Sequence, residues 1–251
     1  MSFNKKNNKN KALSYLIGKK SVLDALKNNF PINLIYLLKQ DKEIENLAKK
    51  NNIKIEFHSS TWFDKQVDPG AKHQGVVAKI SNENLLINLD QLMAQVASKS
   101  KSIILILDEI VNPGNFGAIL RTALATNVDG VIFKNNNQSA INTFVIKNSL
   151  GAAFYLNLVA VSNLRYAIDK LKNIGFWTVA SSLKDDSQDF RKINLDKIAL
   201  IVGNEDKGIS PLIVKEADYR VKIPINPKIE SLNVSVATAI LLFEYTKNNI
   251  F

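Results

Sequence analysis

From residue 102 onward the chain is punctuated by short, almost uninterrupted apolar runs: Ile103–Leu107, Gly130–Phe133, Leu156–Val161, Phe176–Ala180 and Ile198–Val202. A more mixed run follows at Arg220–Ile223. Between them lie segments with helical spacing, Asn115–Thr126 and Asn163–Ile174, and a terminal stretch from about Leu232 to Asn248. A strand that is apolar on both sides must be covered on both faces. A parallel sheet with helices above and below does this, so the expected fold class is α/β. Sites in such sheets form in the loops beyond the carboxyl ends of the strands.

The front of the chain reads as a second, smaller α/β domain over residues 14–80. It has a helix at Ser21–Asn28, a strand at Asn33–Leu38, a charged helix at Asp41–Asn51, a strand at Ile53–Phe57 and a last strand at His73–Ile80, entered through Gly75. Residues 1–13 are dominated by Lys and Asn, too polar to offset the entropy of ordering, and are expected to be a disordered basic tail. Residues 81–101 are expected to link the two domains, with a helix near Leu89–Ala97 and an exposed junction at Lys99–Ser102; the second domain then spans 102–251.

Charge separates the halves. Residues 1–100 carry 16 Lys against 9 acidic residues, a balance of +7, out of +10 for the whole chain. A basic front half points to a polyanionic partner. The absence of cysteine excludes disulfides and thiolate metal sites, and with only His58 and His73 a histidine-rich metal centre is not expected. No segment reaches the ~18 apolar residues of a membrane span, and a cytoplasmic protein with no membrane partner is expected.

Three polar clusters sit at strand and helix ends. The first is Asn115-Phe-Gly117-Ala-Ile-Leu-Arg121. Asn115 is a good helix cap, but Arg121 lies among apolar helix positions and is expected to need an anionic partner. The second is Gly203-Asn-Glu205-Asp-Lys-Gly208-Ile-Ser210. Ser210 before Pro211 is an ordinary helix start, which leaves Glu205 to hold a substrate donor or to pair with Arg121. The third is Ser231-Leu-Asn233-Val-Ser235. A capping box would need Glu or Gln at 234, where Val stands, so Ser231 and Asn233 are expected to face something polar in the loop and first turn. The helix beyond, Val234–Phe243, is nearly apolar all round and is expected to be buried.

In this order and spacing the clusters resemble the three signature motifs of the SpoU (TrmH) family of RNA 2′-O-ribose methyltransferases. Ser149-Leu-Gly151-Ala resembles a further stretch of the family. Ile17-Gly18 and His73-Gln-Gly-Val-Val-Ala resemble the small substrate-binding domain of the subgroup acting on a guanosine of large-subunit ribosomal RNA. The resemblance implies a trefoil-knotted (SPOUT-type) methyltransferase domain, a homodimer, and S-adenosylmethionine held by segments containing Gly203, Ile223 and Leu232. It places Asn115, Arg121, Glu205, Ser231 and Asn233 in the catalytic site, with no metal, and ribosomal RNA or tRNA as substrate. Arg121 fits a phosphate clamp that also polarises the hydroxyl; a guanidinium does not give up its proton readily and makes a poor base, and the base stays open. One departure stands out: Pro227 occupies the place of a usual glycine before the third motif. If it spoiled cofactor binding, the chain would be a non-catalytic RNA- or ribosome-binding protein. A nucleotide-binding enzyme acting on a small molecule is disfavoured by the missing phosphate loop and the charge bias.

Overall fold

The computed structural model describes residues 13–27, 29–30, 32–67, 72–81, 85–139, 141–184 and 186–247. Residues 1–12 of the tail expected over 1–13 lie outside them, as does Asn248 at the expected end of the last helix, whereas Leu13 opens a strand. The chain divides into two compact units, one ending at Leu85 and one starting at Leu86.

The first unit runs β1 (Leu13–Ile17), α1 (Lys19–Lys27), β2 (Ile32–Leu37), α2 (Lys42–Lys50), β3 (Ile55–Phe57), α3 (Ser60–Gln66) and β4 (Val76–Ser81). Its sheet has the order β1-β4-β2-β3, with β4 antiparallel to both neighbours and β3 parallel to β2 at the edge. Helix α1 buries Val22, Leu23, Ala25 and Leu26, the set its spacing predicts. Asp41 starts α2 by accepting from the Ile44 amide at 3.3 Å. Gly75 adopts φ +71°, and a Cβ there would stand 2.9 Å from the Leu38 Cβ, so the turn into β4 requires glycine.

The second unit begins with α4 (Leu89–Val96), opened by a reciprocal capping box between Asn88 and Gln91. It continues through β5 (Ser102–Asp108), α5 (Pro113–Ala125), β6 (Gly130–Lys134), α6 (Thr143–Asn148), β7 (Leu158–Val161), α7 (Leu164–Asn173), β8 (Trp177–Ser181), β9 (Gln188–Asp189), β10 (Lys197–Gly203), α8 (Pro211–Glu216), β11 (Tyr219–Lys222) and α9 (Val234–Thr246). The sheet has the order β7-β6-β5-β10-β8-β11-β9 and every pairing is parallel. Late strand β10 inserts between β5 and β8, so its loop opens beside the loop that follows β5. Ile104, Ile106, Ala199 and Ile201 pack with Leu164, Ile168 and Leu171 of α7 and with Leu92 and Val96 of α4. Much of the stretch expected as a linker therefore packs into the second unit, where the Ile87 amide also donates to Leu158 O at 2.9 Å.

Helix α9 departs from expectation. It is apolar all round but not buried all round: Val236 and Phe243, seven residues apart on one stripe, are 48% and 52% exposed, while Leu241 and Leu242 are buried. The described residues supply a wall for one side of the helix only. Among the described residues no helix is long and apolar enough to cross a membrane.

Candidate active site

Helix α5 starts two residues earlier than its cluster suggests. Asn112 is the cap, accepting from the amides of Gly114 at 2.8 Å and Asn115 at 3.1 Å, with Pro113 in the first turn. Asn115 is thereby relieved of the capping role expected for it, and its side chain reaches across to the loop after β10. There its Nδ2 donates to Glu205 Oε1 at 2.7 Å. Its Oδ1 accepts from Asn233 Nδ2 at 3.1 Å.

Every amide orientation in this relay is fixed from its ends. A carboxylate only accepts, so Asn115 must turn its NH₂ to Glu205 and its oxygen to Asn233. Asn233 must then donate with its own NH₂, which leaves its oxygen toward the start of α9. There it accepts from the Ser235 amide at 2.9 Å, the Ser235 hydroxyl at 2.6 Å and the Val236 amide at 3.4 Å. Asn233 is thus a true helix cap, a role not expected of it from sequence, and it also joins the relay. At the far end Glu205 Oε2 is buried and has no hydrogen-bond partner among the described residues. A buried acceptor without a donor is costly, so the site is built to receive one.

Glu205 and Ser231 line a cavity of ≈ 720 Å³ at the carboxyl ends of β8, β10 and β11. Gly203, Ile223 and Leu232 line it as well, so the three residues expected at a cofactor converge on one place. A Cβ on Gly203 would lie 2.3 Å from the carbonyl carbon of Gly208 and 2.3 Å from the Ile209 nitrogen. The loop folds back this tightly because Asn204 and Gly208 exchange backbone hydrogen bonds of 3.1 and 2.9 Å. Pro227 fits the loop it stands in. It follows Asn226 in a turn closed by the Ile229 amide on Asn226 O at 3.1 Å, while Asn226 Oδ1 accepts from the Lys228 amide at 2.9 Å. Proline suits the second position of such a turn, where no N–H is needed.

Arg121 is not brought into the relay. The buried face of α5 consists of Phe116, Ile119, Leu120 and Ala123, and Arg121 falls on the outer side, exposed. It has no ion pair among the described residues, and Glu205 takes Asn115 in place of the arginine pairing considered from sequence. Exposure removes the desolvation that would have demanded an internal anion, and leaves the guanidinium open to an external one.

Two supporting residues were not singled out in the sequence. Asp108, which ends β5 after five apolar residues, is 1% exposed. It accepts from the Ser210 amide at 2.7 Å and from the Ser210 hydroxyl. Ser210 therefore spends its hydroxyl on β5 and makes no side-chain cap for α8. Lys134, at the end of β6, lies 2.7 Å from Asp108 and 3.0 Å from Glu109. Burial alone would lower the Lys134 pKa, but the two carboxylates outweigh it and the net shift is upward. The pair anchors the Glu205 loop to the sheet.

Comparison with known proteins identifies the family and the fold. The profile of the SpoU rRNA Methylase family matches residues 102–243, and that described as RNA 2′-O ribose methyltransferase substrate binding matches residues 15–86. The chain is 47% identical over 232 residues to an uncharacterized tRNA/rRNA methyltransferase of Mycoplasma pneumoniae, covering 92% of this chain and 96% of that one. It is 32% identical over 243 residues to a putative TrmH family tRNA/rRNA methyltransferase, YacO, of Bacillus subtilis, covering 94% and 96%. An AdoMet-bound rRNA methyltransferase from Sinorhizobium meliloti superposes with a TM-score of 0.79 over 95% of this chain and 88% of that one, at 24% identity, a likeness of fold.

Proposed function

The chain belongs to the SpoU family, as an S-adenosylmethionine-dependent RNA methyltransferase, and from that premise we propose that it methylates the ribose 2′-hydroxyl of a nucleotide, a guanosine of large-subunit ribosomal RNA, in the cytoplasm. The observation that carries this reading is the Asn233–Asn115–Glu205 relay, whose last oxygen is buried without a donor and whose carboxylate lines the cavity.

The cavity fits the cofactor. Its size is that of an ordinary small-molecule site, and its walls combine apolar Ile223 and Leu232 with the tight backbone turn at Gly203. When bound, S-adenosylmethionine supplies a methyl group on a positively charged sulfur. The chain's own part is to hold the ribose in line and to manage its proton. The relay fixes the Glu205 carboxylate, whose open oxygen can accept a donor from the nucleotide. Ser231 is exposed at the cavity wall and free to contact the ribose. Arg121 takes a backbone phosphate with its planar fork, which both orients the nucleotide and lowers the cost of ionising the hydroxyl. Positioning of this kind supplies much of the rate in such transfers. The exposed Val236–Phe243 stripe of α9 is the face we assign to a second copy, giving a homodimer.

The test is transfer of labelled methyl from S-adenosylmethionine to total ribosomal RNA and total tRNA, followed by mapping. A methylated 2′-oxygen blocks alkaline cleavage at its 3′ phosphate, so the product appears as an alkali-resistant dinucleotide. Label found only on bases, or only in tRNA, would refute the corresponding part of the reading.

A further inference from the structure

The edge of the front unit's sheet carries a cluster of rings that the methyl-transfer site does not use. His58 follows β3, and its amide donates to Leu37 O at 3.0 Å. The imidazole stacks on Trp62 of α3 with ring centres 4.2 Å apart and 22° between planes. Trp62 in turn lies 4.5 Å from Tyr36 and meets Phe63 edge-on at 5.2 Å. Phe63 and Tyr36 are buried, so the cluster is rooted in the core. Its outer members are not covered: His58 keeps 30% of its side chain exposed and Trp62 is only half-buried.

Core packing accounts for Tyr36 and Phe63. It does not account for two flat rings held nearly parallel at the surface, a geometry in which a third ring extends the stack. The rim is basic. Lys39 follows β2 at the end where His58 joins it, Lys65 lies three residues after Trp62 on α3, and Lys72 adjoins His73, whose ring stacks on Phe63 at 5.1 Å. All three lysines are exposed and make no ion pair among the described residues. A ring platform bordered by free cations matches the chemistry of a nucleotide with its phosphates, and base stacking needs an open base face. A duplex has none to offer.

We propose that His58 and Trp62 form a stacking platform for one unpaired base of the RNA substrate, with Lys39, Lys65 and Lys72 taking the flanking phosphates. The substrate is then RNA with a loop, bulge or single-stranded segment. The inference rests on the RNA methyltransferase reading for the identity of the polyanion, and adds what form that RNA takes.

The chain has two tryptophans, so Trp177→Phe in the full-length protein leaves Trp62 as the sole emitter. This protein is titrated with an unstructured single-stranded oligoribonucleotide and with a duplex of the same length, at several salt concentrations. The single strand quenches the Trp62 emission and the duplex does not. His58→Ala, a surface change, weakens single-strand affinity roughly fivefold to a hundredfold, as loss of one base stack does. His58→Phe restores it. The slope of log affinity against log salt stays the same in His58→Ala, because no phosphate contact is lost. Equal quenching and affinity for the duplex, or unchanged affinity in a His58→Ala protein of native thermal stability, overturns the platform. The two readings fail separately: intact quenching without methyl transfer to any RNA counts against the enzyme, and methyl transfer without quenching counts against the platform.

Discussion

Asn233 caps α9 with its oxygen and feeds Asn115 with its nitrogen, so a single substitution can separate the two functions. In Asn233→Asp the oxygen that accepts from Ser235 and Val236 is kept. Aspartate caps as well as asparagine, and its charge at a helix start contributes about 0.3–1 kcal/mol. The atom facing Asn115 Oδ1 at 3.1 Å, however, changes from a donor to an acceptor. Asn115 cannot correct this by flipping, because its oxygen would then face the Glu205 carboxylate at the 2.7 Å position now held by Nδ2. One contact in the relay must be lost. Because the Asn233–Asn115 bond is solvent-exposed, the loss costs stability only about 0.5–1.5 kcal/mol. Gain and loss nearly cancel, and unfolding by heat or urea should be within about 1 kcal/mol of wild type. Turnover should fall on the order of tenfold to thousandfold, since Asn115 loses the contact that steadies it and no longer holds Glu205 in a fixed position. Asn233→Ala loses both functions and should also destabilise by ~1 kcal/mol. The assays are methyl transfer to RNA and thermal unfolding of the same preparations. Wild-type turnover in Asn233→Asp would show that the relay does not serve the chemistry.

Arg121→Ala should nearly abolish methyl transfer with the fold intact, and Arg121→Lys should fail as well, because a point charge does not reproduce a planar fork; activity within a few-fold of wild type for either removes Arg121 from the site. Gly203→Ala places a methyl group at 2.3 Å from the Gly208–Ile209 backbone, so binding of S-adenosylmethionine measured by calorimetry should be lost or the protein destabilised by at least ~2 kcal/mol. A fragment starting at residue 86 should fold and bind S-adenosylmethionine but hold RNA more weakly than the full chain at matched salt. One starting at residue 100 should not fold, because it lacks buried Leu92, Met93 and Val96, together worth ~5 kcal/mol. Burial would raise the Asp218 pKa, but hydrogen bonds from Thr178 and the Lys172 ammonium outweigh it, and the net shift is below the ordinary 3.8. Its stabilising effect is therefore complete above that value and is lost as pH falls through the lowered one; Asp218→Asn should flatten the acid limb of a stability–pH curve, and an unchanged limb would show that this carboxylate does not drive it.

Most of the fold was legible because burial writes itself into sequence. A strand covered on both faces, such as β5 or β10, can hardly be polar, and α1 showed its buried stripe at the proper spacing. Two short helices were not legible: α3 has seven residues and α6 six, too few to display a period, whereas the equally short α8 was marked by its proline. Nor was the exposure of α9, since an apolar helix reads the same whether its cover comes from its own chain or from elsewhere. The exposure of Arg121 was hidden for a related reason. Its apolar neighbours were counted along the chain, whereas burial depends on which side of α5 each one faces.

The two proline-marked helix starts show where local logic ends. Proline favours the first helical position, so the residue before it is the natural cap. Applied to Asn112-Pro113, that logic picks the correct cap and frees Asn115, a signal present in the sequence and passed over in favour of the more motif-like asparagine. Applied to Ser210-Pro211, the same logic names a cap that makes no capping bond, because the Ser210 hydroxyl is held by Asp108, 102 residues away. The difference lies in what else is within reach. Asn112 is exposed at a loop and bonds the start of its own helix, whereas Ser210 is packed against a buried carboxylate whose Oδ2 takes both its amide and its hydroxyl. A buried charge outcompetes a solvent-accessible helix end for a hydroxyl. That preference ties the Glu205 loop to β5, and with it the carboxylate to Asn115. The site is therefore assembled by long-range partners whose individual residues look, in sequence, like ordinary turn and cap chemistry.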